Sequence, residues 1–576
     1  MCEIKRLPYG VSDFVSIITR NRYYVDKTTY LAQLERETDT IIFIRPRRFG
    51  KSLFLSMMEA YYDKAMRDRF DELFGNLWIG KNPTKLKNRY EVLHLDFSRI
   101  GGSVDNIEKN FQIYCSRALD AFVYKYKEDY PQNISDEVFA TDYYYDKLQI
   151  ILNWSANANI PMYLIIDEYD NFTNNILNEN GEGVYHAITH ANGFYRDLFK
   201  CFKGNFERIF LTGVSPVTLD DLTSGFNIGM NISTSANFDK MLGFSTNDVR
   251  EMFSYYQSVG ELPKDKDIEE MIEEIKPWYD NYCFSPKCLD DSNRVFNSDM
   301  VLYYLYNYIS SGEPPKEMVD PNTKTDYNKL LKLISIDKNQ GTKDSVLMDV
   351  AQKGEIKATI SSSFSALEML TDPDVFPSLL FYYGMLTIKG SYGSQLILGI
   401  PNNNVRKQYY GYLQKNYSNR CNINLTKLTS GFNDMALNGE WRETLQYMAE
   451  QYATLSSFRD CIEGERNIQG FFLAYLNLNS FYLTAPELEL NHGYCDFFLL
   501  PDMTHYKSAH SYILEIKYLP KGMHTDDQAE KQWQEAVEQI ENYAQAPRVQ
   551  ALRQGTKLHK IVMQFMGWKM TRMEEV

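Results

Sequence analysis

The sequence has no long run of apolar residues and no excess of basic residues. Its longest strongly apolar stretch, residues 376–388, contains Pro377 and Gly384 and is too short for a membrane helix, which needs about 20 residues. The first ten residues carry Lys5 and Arg6 but not the apolar segment of a secretory signal. We therefore expect a cytoplasmic protein without a membrane segment.

Cysteine usage and charge exclude two further classes of protein. The eight cysteines include no CxxC pair, and no histidine adjoins the closest two, Cys283 and Cys288, so we expect no structural zinc. Lys and Arg number 61 against 76 Asp and Glu, a net charge of −15. This balance excludes a basic coat of the histone kind, so any contact with nucleic acid must be local.

The composition is that of a folded, multidomain protein. The 576 residues are 44% hydrophobic and 24% charged, and domains of about 100–200 residues predict three or four of them. Buried parallel strands are predicted at residues 41–44, 92–95, 163–166 and 209–211. Strands at 495–500 and 512–516, a helix at 528–544 and a final strand at 560–565 predict a second α/β unit.

We predict an α/β multidomain fold with three parts. Residues 1–243 are expected to form a P-loop NTPase domain. Residues 244–432, where the apolar spacing is mostly helical, are expected to form a helical middle domain of the lid or winged-helix kind. Residues 433–576 are expected to form a restriction-endonuclease-like α/β domain.

A glycine–lysine–serine sequence stands between the first predicted strand and a helical pattern. Backbone N–H groups of such a loop, the helix N-terminus, a lysine and a hydroxyl are the groups that bind nucleotide phosphates and magnesium. Gly50, Lys51 and Ser52 supply them, although Arg45 stands where the usual pattern has its first glycine. The alternative is a basic turn with a chance match. The nucleotide-binding candidates are Arg45, Pro46, Arg47, Arg48, Phe49, Gly50, Lys51, Ser52 and Leu53.

The strand at 163–166 ends in the carboxylates that a nucleotide site requires. Asp167 is expected to hold Mg²⁺ together with Ser52, and Glu168 to activate the attacking water as a general base. Asp170 is a spare carboxylate. Thr212, at the end of the strand at 209–211, is either a nucleotide-contacting residue that senses the γ-phosphate or a simple strand-end hydroxyl.

These segments together resemble a known family. Leu7–Gly10, Tyr24–Thr28, Arg45–Leu53 and Leu211–Ser215 resemble the bacterial AAA-ATPase-like family, relatives of signal-transducing P-loop ATPases. In that family the loop with arginine at the first position is the usual form. Trp278–Tyr282 and Ile400–Asn402 are similar to its middle-region signatures, with Asn281 and Cys283 where the family commonly has Gly and Arg. The resemblance implies binding of ATP with Mg²⁺.

Near the C-terminus two carboxylates and a lysine are predicted to converge. Glu515 and Lys517 are two residues apart on a strand and so face the same side, and Asp496 opens the neighbouring strand. Carboxylate oxygens suit Mg²⁺, and a bound metal lowers the pKa of a water that attacks a phosphodiester. The alternative is a solvated strand edge, the more frequent meaning of such a pair.

Two helices extend the pattern. Glu465, at the start of a helix, is a third candidate metal ligand beside Asp496 and Glu515, and Gln539 and Tyr543 share a helical face. The order of these residues along the chain is a helix with Glu465, a strand with Asp496, a strand with Glu515 and Lys517, and a helix with Gln539 and Tyr543. This order resembles that of the PD-(D/E)XK nuclease superfamily, particularly its helicase-associated branch. The resemblance implies that Asp496, Glu515, Lys517, Gln539 and Tyr543 are catalytic, with Mg²⁺ or Mn²⁺ as metal.

Three functions compete. The favoured hypothesis is a nuclease gated by ATP, acting on nucleic acid, with DNA preferred over RNA as the partner and homo-oligomerisation left open. The alternative is a signalling or regulatory ATPase whose nuclease-like domain binds nucleic acid without cleaving it. A DNA-translocating motor is disfavoured because the sequence has no convincing arginine finger or helicase motif.

Overall fold

The chain forms two compact units in this computed structural model. Residues 1–343 and 357–402 make the first unit, and residues 344–356 and 403–576 make the second. The helix Leu425–Asn438 runs across residue 433, where the sequence places the last domain boundary. The structure describes residues 3–102, 104–171, 173–174, 185, 189, 193–217, 229–290, 294–322, 340–418, 420–457, 464–490, 493–522 and 525–576.

The first unit contains a five-stranded parallel sheet. Its strands are β1 (Thr40–Ile44), β2 (Glu91–Asp96), β3 (Met162–Asp167), β4 (Arg208–Gly213) and β5 (Met230–Asn231). They lie in the order β2–β3–β4–β1–β5, and every described pair is parallel. Strands buried on both faces consist of continuous apolar residues, which is why the sequence predicts four of the five. The order brings the ends of β1, β4 and β3 side by side.

Helices surround this sheet and continue into the middle of the chain. The helix Lys51–Tyr62 follows β1 directly and is buried along most of its length, Phe54 and Met58 included. The other α-helices that the structure describes up to residue 202 are Phe14–Thr19, Thr29–Leu34, Phe70–Phe74, Trp78–Lys81, Val104–Lys125, Gln132–Ala140, Tyr144–Asn157 and Phe194–Phe202.

The middle of the chain is mainly helical, as predicted. The helices described in this part of the chain are Thr246–Ser258, Ile268–Tyr279, Ser298–Ser311, Gln340–Lys353, Ala366–Thr371 and Phe376–Tyr382. A small sheet accompanies them, with strands β6 (Glu355–Ala358), β7 (Thr387–Tyr392) and β8 (Gln395–Gly399) in the order β6–β8–β7. The apolar stretch at residues 376–388 is a buried helix followed by the start of β7.

The second unit contains a mixed five-stranded sheet. Its strands are β9 (Tyr482–Leu490), β10 (Gly493–Pro501), β11 (His510–Leu519), β12 (Lys557–Met566) and β13 (Lys569–Glu575), in the order β13–β12–β11–β10–β9. Among the strand pairs that the structure describes here, β11 and β12 are parallel and the others are antiparallel. The helices are Asn403–Ser418, Leu425–Asn438, Arg442–Thr454, Glu465–Leu476, Asp526–Ala544 and Pro547–Leu552.

The predicted strand at 560–565 is confirmed as part of β12, but it is not the final strand, because β13 follows it. Lys569–Glu575 is an edge strand of mostly polar residues in which Met573 alone is buried, so it lacks the apolar run by which a central strand is recognised. Strand β9 was missed as well. It contains Pro486, a residue that sheets tolerate at their edges.

Candidate nucleotide and nuclease sites

The loop after β1 has the backbone of an anion-binding turn. Arg48 and Gly50 have φ values of 67° and 92°, in the left-handed region, and Gly50 caps the helix that starts at Lys51. Left-handed residues in a turn direct successive N–H groups to one side, and the helix N-terminus adds its partial positive charge. Glycine at position 50 meets this requirement without the strain that a Cβ would add.

Lys51 is almost completely buried in this loop. Its Nζ donates hydrogen bonds to the carbonyl oxygens of Arg45 and Pro46, each at 3.0 Å. Burial lowers the pKa of Lys51, and the charges of Glu168 and Asp167 oppose that shift. Both of these hydrogen bonds go to neutral carbonyls, so a bound phosphate would give the buried Lys51 ammonium a charged hydrogen-bond partner.

Asp167 ends β3 opposite the loop. It is 4% exposed and accepts a hydrogen bond from the Ser52 hydroxyl, while its Oδ1 has no hydrogen-bond partner among the described residues. Burial, and after it the negative charge of Glu168, raises the pKa of Asp167. An unpartnered buried carboxylate oxygen beside a hydroxyl is a donor set that fits Mg²⁺.

The next two carboxylates along the chain, Glu168 and Asp170, lie in different surroundings. Glu168 lines the cavity described below and has a φ of 50°, a strained value for a residue with a side chain. Asp170 is buried and accepts hydrogen bonds from the backbone N–H groups of Val214 and Ser215, and from the Asn174 amide. Burial, and after it the charge of Glu168, raises the pKa of Asp170 to about 6. Asp170 is therefore not a spare carboxylate but holds the turn after β4.

Two of the nucleotide-binding candidates direct their side chains into the sheet and the core. The Thr212 hydroxyl donates to the Phe43 carbonyl oxygen at 2.7 Å, which favours the strand-end alternative over a phosphate sensor. The Arg45 guanidinium is buried between the rings of Phe43 and Phe284 and donates to three backbone carbonyls. Arg45 can therefore contribute to phosphate binding through its backbone only.

A cavity of about 470 Å³ opens over the loop. Loop residues from Arg47 to Leu53 and Glu168 are part of its lining. The remainder is mostly apolar, with Pro8, Ile17, Tyr23, Tyr24, Val25, Met241, Leu242, Met252 and Leu302. Sequence reasoning did not predict this apolar part, although the motifs at residues 7–10 and 24–28 were visible and supply much of it.

The middle of the chain contacts the same loop. The Arg48 guanidinium pairs with Asp299 at 2.7 Å, and the Arg48 carbonyl oxygen accepts a hydrogen bond from the Ser298 hydroxyl. Asp320, which is 1% exposed, lies 3.9 Å from the same guanidinium and accepts a hydrogen bond from Tyr9. The helix Ser298–Ser311 therefore begins against the phosphate-binding loop.

The three residues predicted to converge in the second unit do so. Asp496 precedes Phe497, which pairs across the sheet with Leu514, the residue before Glu515. Lys517 Nζ lies 2.8 Å from Glu515 Oε1, and Asp496 Oδ2 accepts a hydrogen bond from the backbone N–H of Ile516. Two carboxylates and a lysine thus lie together on adjacent strands.

The electrostatics of this group fit a divalent cation. Burial, and after it the charge of Glu515, raises the pKa of Asp496 well above its ordinary range. Burial also raises the pKa of Glu515, whose Oε2 is buried with no hydrogen-bond partner among the described residues. Two neighbouring buried carboxylates repel each other unless a proton or a cation lies between them.

The outer members of the predicted set are more exposed. Glu465 is exposed at the first turn of its helix, and its charge acts on Asp496, Glu515 and Lys517. Among the described residues, no three Asp, Glu, His or Cys side chains are gathered as a ready-made metal cluster. Tyr543 is buried, and its pKa is raised by this burial and, after it, by the charge of Glu515. Gln539, one helical turn earlier, is exposed.

One polar contact of this site was not foreseen. The Gln469 amide Nε2 donates to Asp496 Oδ1 at 2.6 Å. Gln469 lies four residues after Glu465 on the helix Glu465–Leu476, hence on the same face. The spacing of four residues from Glu465 is the sequence signal that places Gln469 at this site. Residue type alone does not indicate it, because glutamine is not a preferred metal ligand.

Comparison with known families covers both sites. Residues 8–223 match the model of the AAA-ATPase-like family, described as a predicted AAA-ATPase, and residues 463–575 match the PD-(D/E)XK nuclease superfamily. The chain combines an AAA-ATPase-like domain with a PD-(D/E)XK nuclease superfamily domain. Both resemblances drawn from the sequence are confirmed, and so is the multidomain α/β fold.

A curated relative gives no further guide to function. The uncharacterized protein in the vnfD 5′ region of Azotobacter chroococcum mcd 1 is 26% identical over 289 residues. The match covers 48% of this chain and 48% of that protein, so the chain spans about half the length of its relative. In the part of the chain that the structure describes, no helix is both long and apolar enough to cross a bilayer.

Proposed function

We propose that this AAA-ATPase-like protein binds and hydrolyses ATP and that its nuclease superfamily domain cleaves nucleic acid with a divalent metal, under control of the nucleotide. The observation that carries the proposal is the convergence of Asp496, Glu515 and Lys517 on adjacent strands in a chain that also has the Lys51 loop. Each site has a buried carboxylate oxygen, on Asp167 and on Glu515, without a hydrogen-bond partner among the described residues.

In the first site, the chain's own groups divide the work of phosphate binding and hydrolysis. The N–H groups of the loop and the Lys51 ammonium bind the phosphates, and Ser52 and Asp167 hold Mg²⁺, which neutralises phosphate charge when it is bound. Glu168, at the edge of the cavity, accepts the proton of the attacking water. The apolar part of the cavity accommodates the nucleotide base.

In the second site, Asp496 and Glu515 are the metal ligands, and Glu465 is an auxiliary one. The metal, Mg²⁺ or Mn²⁺, supplies a water of lowered pKa when it is bound. Lys517 orients that water and stabilises the negative charge that develops on the phosphate. Tyr543 and Gln539 orient the substrate or the active-site side chains, consistent with the burial of Tyr543 beside Glu515.

Control by nucleotide is supported by the contacts of Arg48. Its guanidinium lines the cavity and pairs with Asp299, which lines the same cavity. Nucleotide phosphates bring negative charge to this cavity, where they compete with Asp299 for Arg48 and repel the Asp299 carboxylate. The nucleotide state is thereby transmitted to the helix Ser298–Ser311.

Three further parts of the proposal concern the whole chain. We propose that its domains are residues 1–243, 244–432 and 433–576. We also propose that DNA is the preferred substrate and that the protein acts in the cytoplasm.

The alternative is a regulatory ATPase whose second domain binds nucleic acid without cleaving it. A non-cleaving module has no need of two repelling buried carboxylates, since their repulsion costs folding free energy. The intact set of Asp496, Glu515 and Lys517 therefore favours cleavage.

Nucleotide titration of purified protein tests the first site. Lys51→Ala should abolish ATP binding, because the buried cation that contacts the phosphates is lost. Glu168→Gln should keep ATP binding and lose turnover, because only the proton acceptor is removed. The measurements are calorimetric titration with Mg·ATP and phosphate release, and equal affinity in wild type and Lys51→Ala would refute the assignment.

A further inference from the structure

The amide of Gln469 lies at the nuclease site without belonging to the set of residues that define its chemistry. We propose that Gln469 is a positioning residue that fixes the Asp496 carboxylate for metal binding, an inference that rests on the proposed nuclease function. Its Nε2 donates to Asp496 Oδ1 at 2.6 Å, a close hydrogen bond to a carboxylate oxygen.

The hydrogen bonds of Asp496 leave a defined place for the metal. Oδ1 accepts from Gln469 and Oδ2 accepts from the N–H of Ile516, so both ends of the carboxylate are held and its plane is fixed. Each carboxylate oxygen has about two acceptor positions, so each keeps one for a cation. Glu515 Oε2 supplies the neighbouring oxygen, since its Oε1 is taken by Lys517.

The helix that carries Gln469 is itself firmly held. Ile468 and Phe471, on either side of Gln469, are buried, and the Tyr417 hydroxyl donates to the Asn467 side chain at 2.8 Å. A side chain on such a helix loses little entropy when it holds a ligand in place. The same helix carries Glu465 one turn earlier, so the Gln469 hydrogen bond also fixes the distance between Glu465 and Asp496.

Gln469→Met tests the role, because methionine has a similar length but no donor. Loss of a residue that orients a ligand typically weakens metal binding about 10- to 100-fold. We expect this loss in calorimetric titration of the full chain with Mn²⁺ and no nucleotide, where the binding abolished by Asp496→Asn defines the site. Cleavage by Gln469→Met should need about 10- to 100-fold more Mn²⁺ and recover at saturating Mn²⁺, unlike cleavage by Lys517→Ala.

Gln446→Met is the matched control. Gln446 donates to Glu450 at 3.1 Å on the exposed face of the helix Arg442–Thr454 in the same unit, so its substitution removes the same kind of hydrogen bond away from the site. Gln469→Asn, which is one methylene shorter, should behave like Gln469→Met, and both should unfold at the temperature of the control. If Gln469→Met is less stable, Gln469→Asn, which keeps the polar amide at a length that cannot reach Asp496, should still weaken Mn²⁺ binding.

The outcomes separate the two proposals. Wild-type Mn²⁺ affinity in Gln469→Met and Gln469→Asn, with binding lost in Asp496→Asn, would overturn the role of Gln469 and leave the nuclease function standing. Absence of any Mn²⁺ binding that depends on Asp496 in the wild type would overturn both. Weakened binding in both Gln469 variants and not in Gln446→Met would support the positioning role.

Discussion

Buried carboxylates that lie beside a second carboxylate occur in both sites of this chain. Asp167 and Asp170 have their pKa values raised by burial and by Glu168, and Asp496 has its pKa raised by burial and by Glu515. Such groups cost folding free energy unless a proton, a donor or a cation compensates them. Asp170 is compensated by protein donors, whereas Asp167 and Glu515 each retain an unpartnered oxygen among the described residues.

Asp170 should make stability depend on pH. Its pKa in the folded protein is about 6, above its ordinary value, so the folded chain retains a proton that the unfolded chain releases. The stabilisation by this proton is complete below about pH 4 and is lost as the pH rises through about 6. Between pH 5 and 7, the unfolding free energy of the wild type should fall by about 1 kcal/mol relative to Asp170→Asn.

Calorimetric unfolding of both proteins at pH 5 and pH 7 measures this difference. Asp265→Asn, an exposed substitution in the same unit, should follow the wild type at both pH values. A constant difference between wild type and Asp170→Asn over this interval would contradict the raised pKa.

Substitutions in the nuclease site should separate metal binding from cleavage. Asp496→Asn and Glu515→Gln remove ligand oxygens and should lose Mn²⁺ binding and cleavage together. Lys517→Ala leaves these ligands in place and should retain metal binding while cleavage falls about 10²- to 10³-fold. Lys531→Ala, at an exposed Lys–Glu pair of the same unit, is the control. Cleavage that survives both Asp496→Asn and Lys517→Ala would place the activity elsewhere.

Among the elements, the phosphate-binding loop departs from the usual pattern for a structural reason. The Arg45 guanidinium donates to the carbonyl oxygens of Ile44, Ser233 and Phe238, and it lies 4.1 Å from the centre of the Phe284 ring. It therefore fastens the loop to segments that follow β5. A glycine at this position would leave these carbonyls without their donor.

Arg45→Gly should destabilise the protein although it restores the usual loop sequence. Each buried carbonyl left without a donor costs about 1–3 kcal/mol, so the total is roughly 3 kcal/mol or more. Urea unfolding measures the loss, and Arg45→Lys, which keeps the charge but not the planar fork, should lie between the glycine variant and wild type. An Arg45→Gly protein as stable as wild type, with tighter ATP binding, would contradict this account.

Elements with a strong apolar signal could be predicted, and elements without one could not. Continuous apolar runs predict the central strands of both sheets, and helical periodicity predicts the helix Glu465–Leu476. The loop before Lys51 is predicted because it stands between such a strand and such a helix. Strand β13 escaped because an edge strand buries few side chains. The apolar part of the nucleotide cavity escaped because its residues come from segments distant in sequence, which only tertiary packing brings together.

For the whole molecule, the chain carries two sites in two compact units. The family matches support an ATPase-like and a nuclease-like domain, and the coupling between them is the central claim of the proposed function. The sequence could indicate both sites because each is built from a short local motif. It could not indicate the Arg48–Asp299 pair, whose members lie 251 residues apart.

The coupling between the two sites is tested most directly by a cleavage assay. The substrates are labelled circular DNA, linear DNA and RNA, each with Mg²⁺ or Mn²⁺ and with or without ATP. Wild-type protein should cleave in a manner that depends on ATP, Asp496→Asn should not cleave at all, and Lys51→Ala should lose the response to ATP. A wild type inert on every nucleic acid in both metals, with and without ATP, would contradict the account and favour the non-cleaving regulator. Cleavage by Lys51→Ala that equals the wild type at every ATP concentration would contradict the coupling.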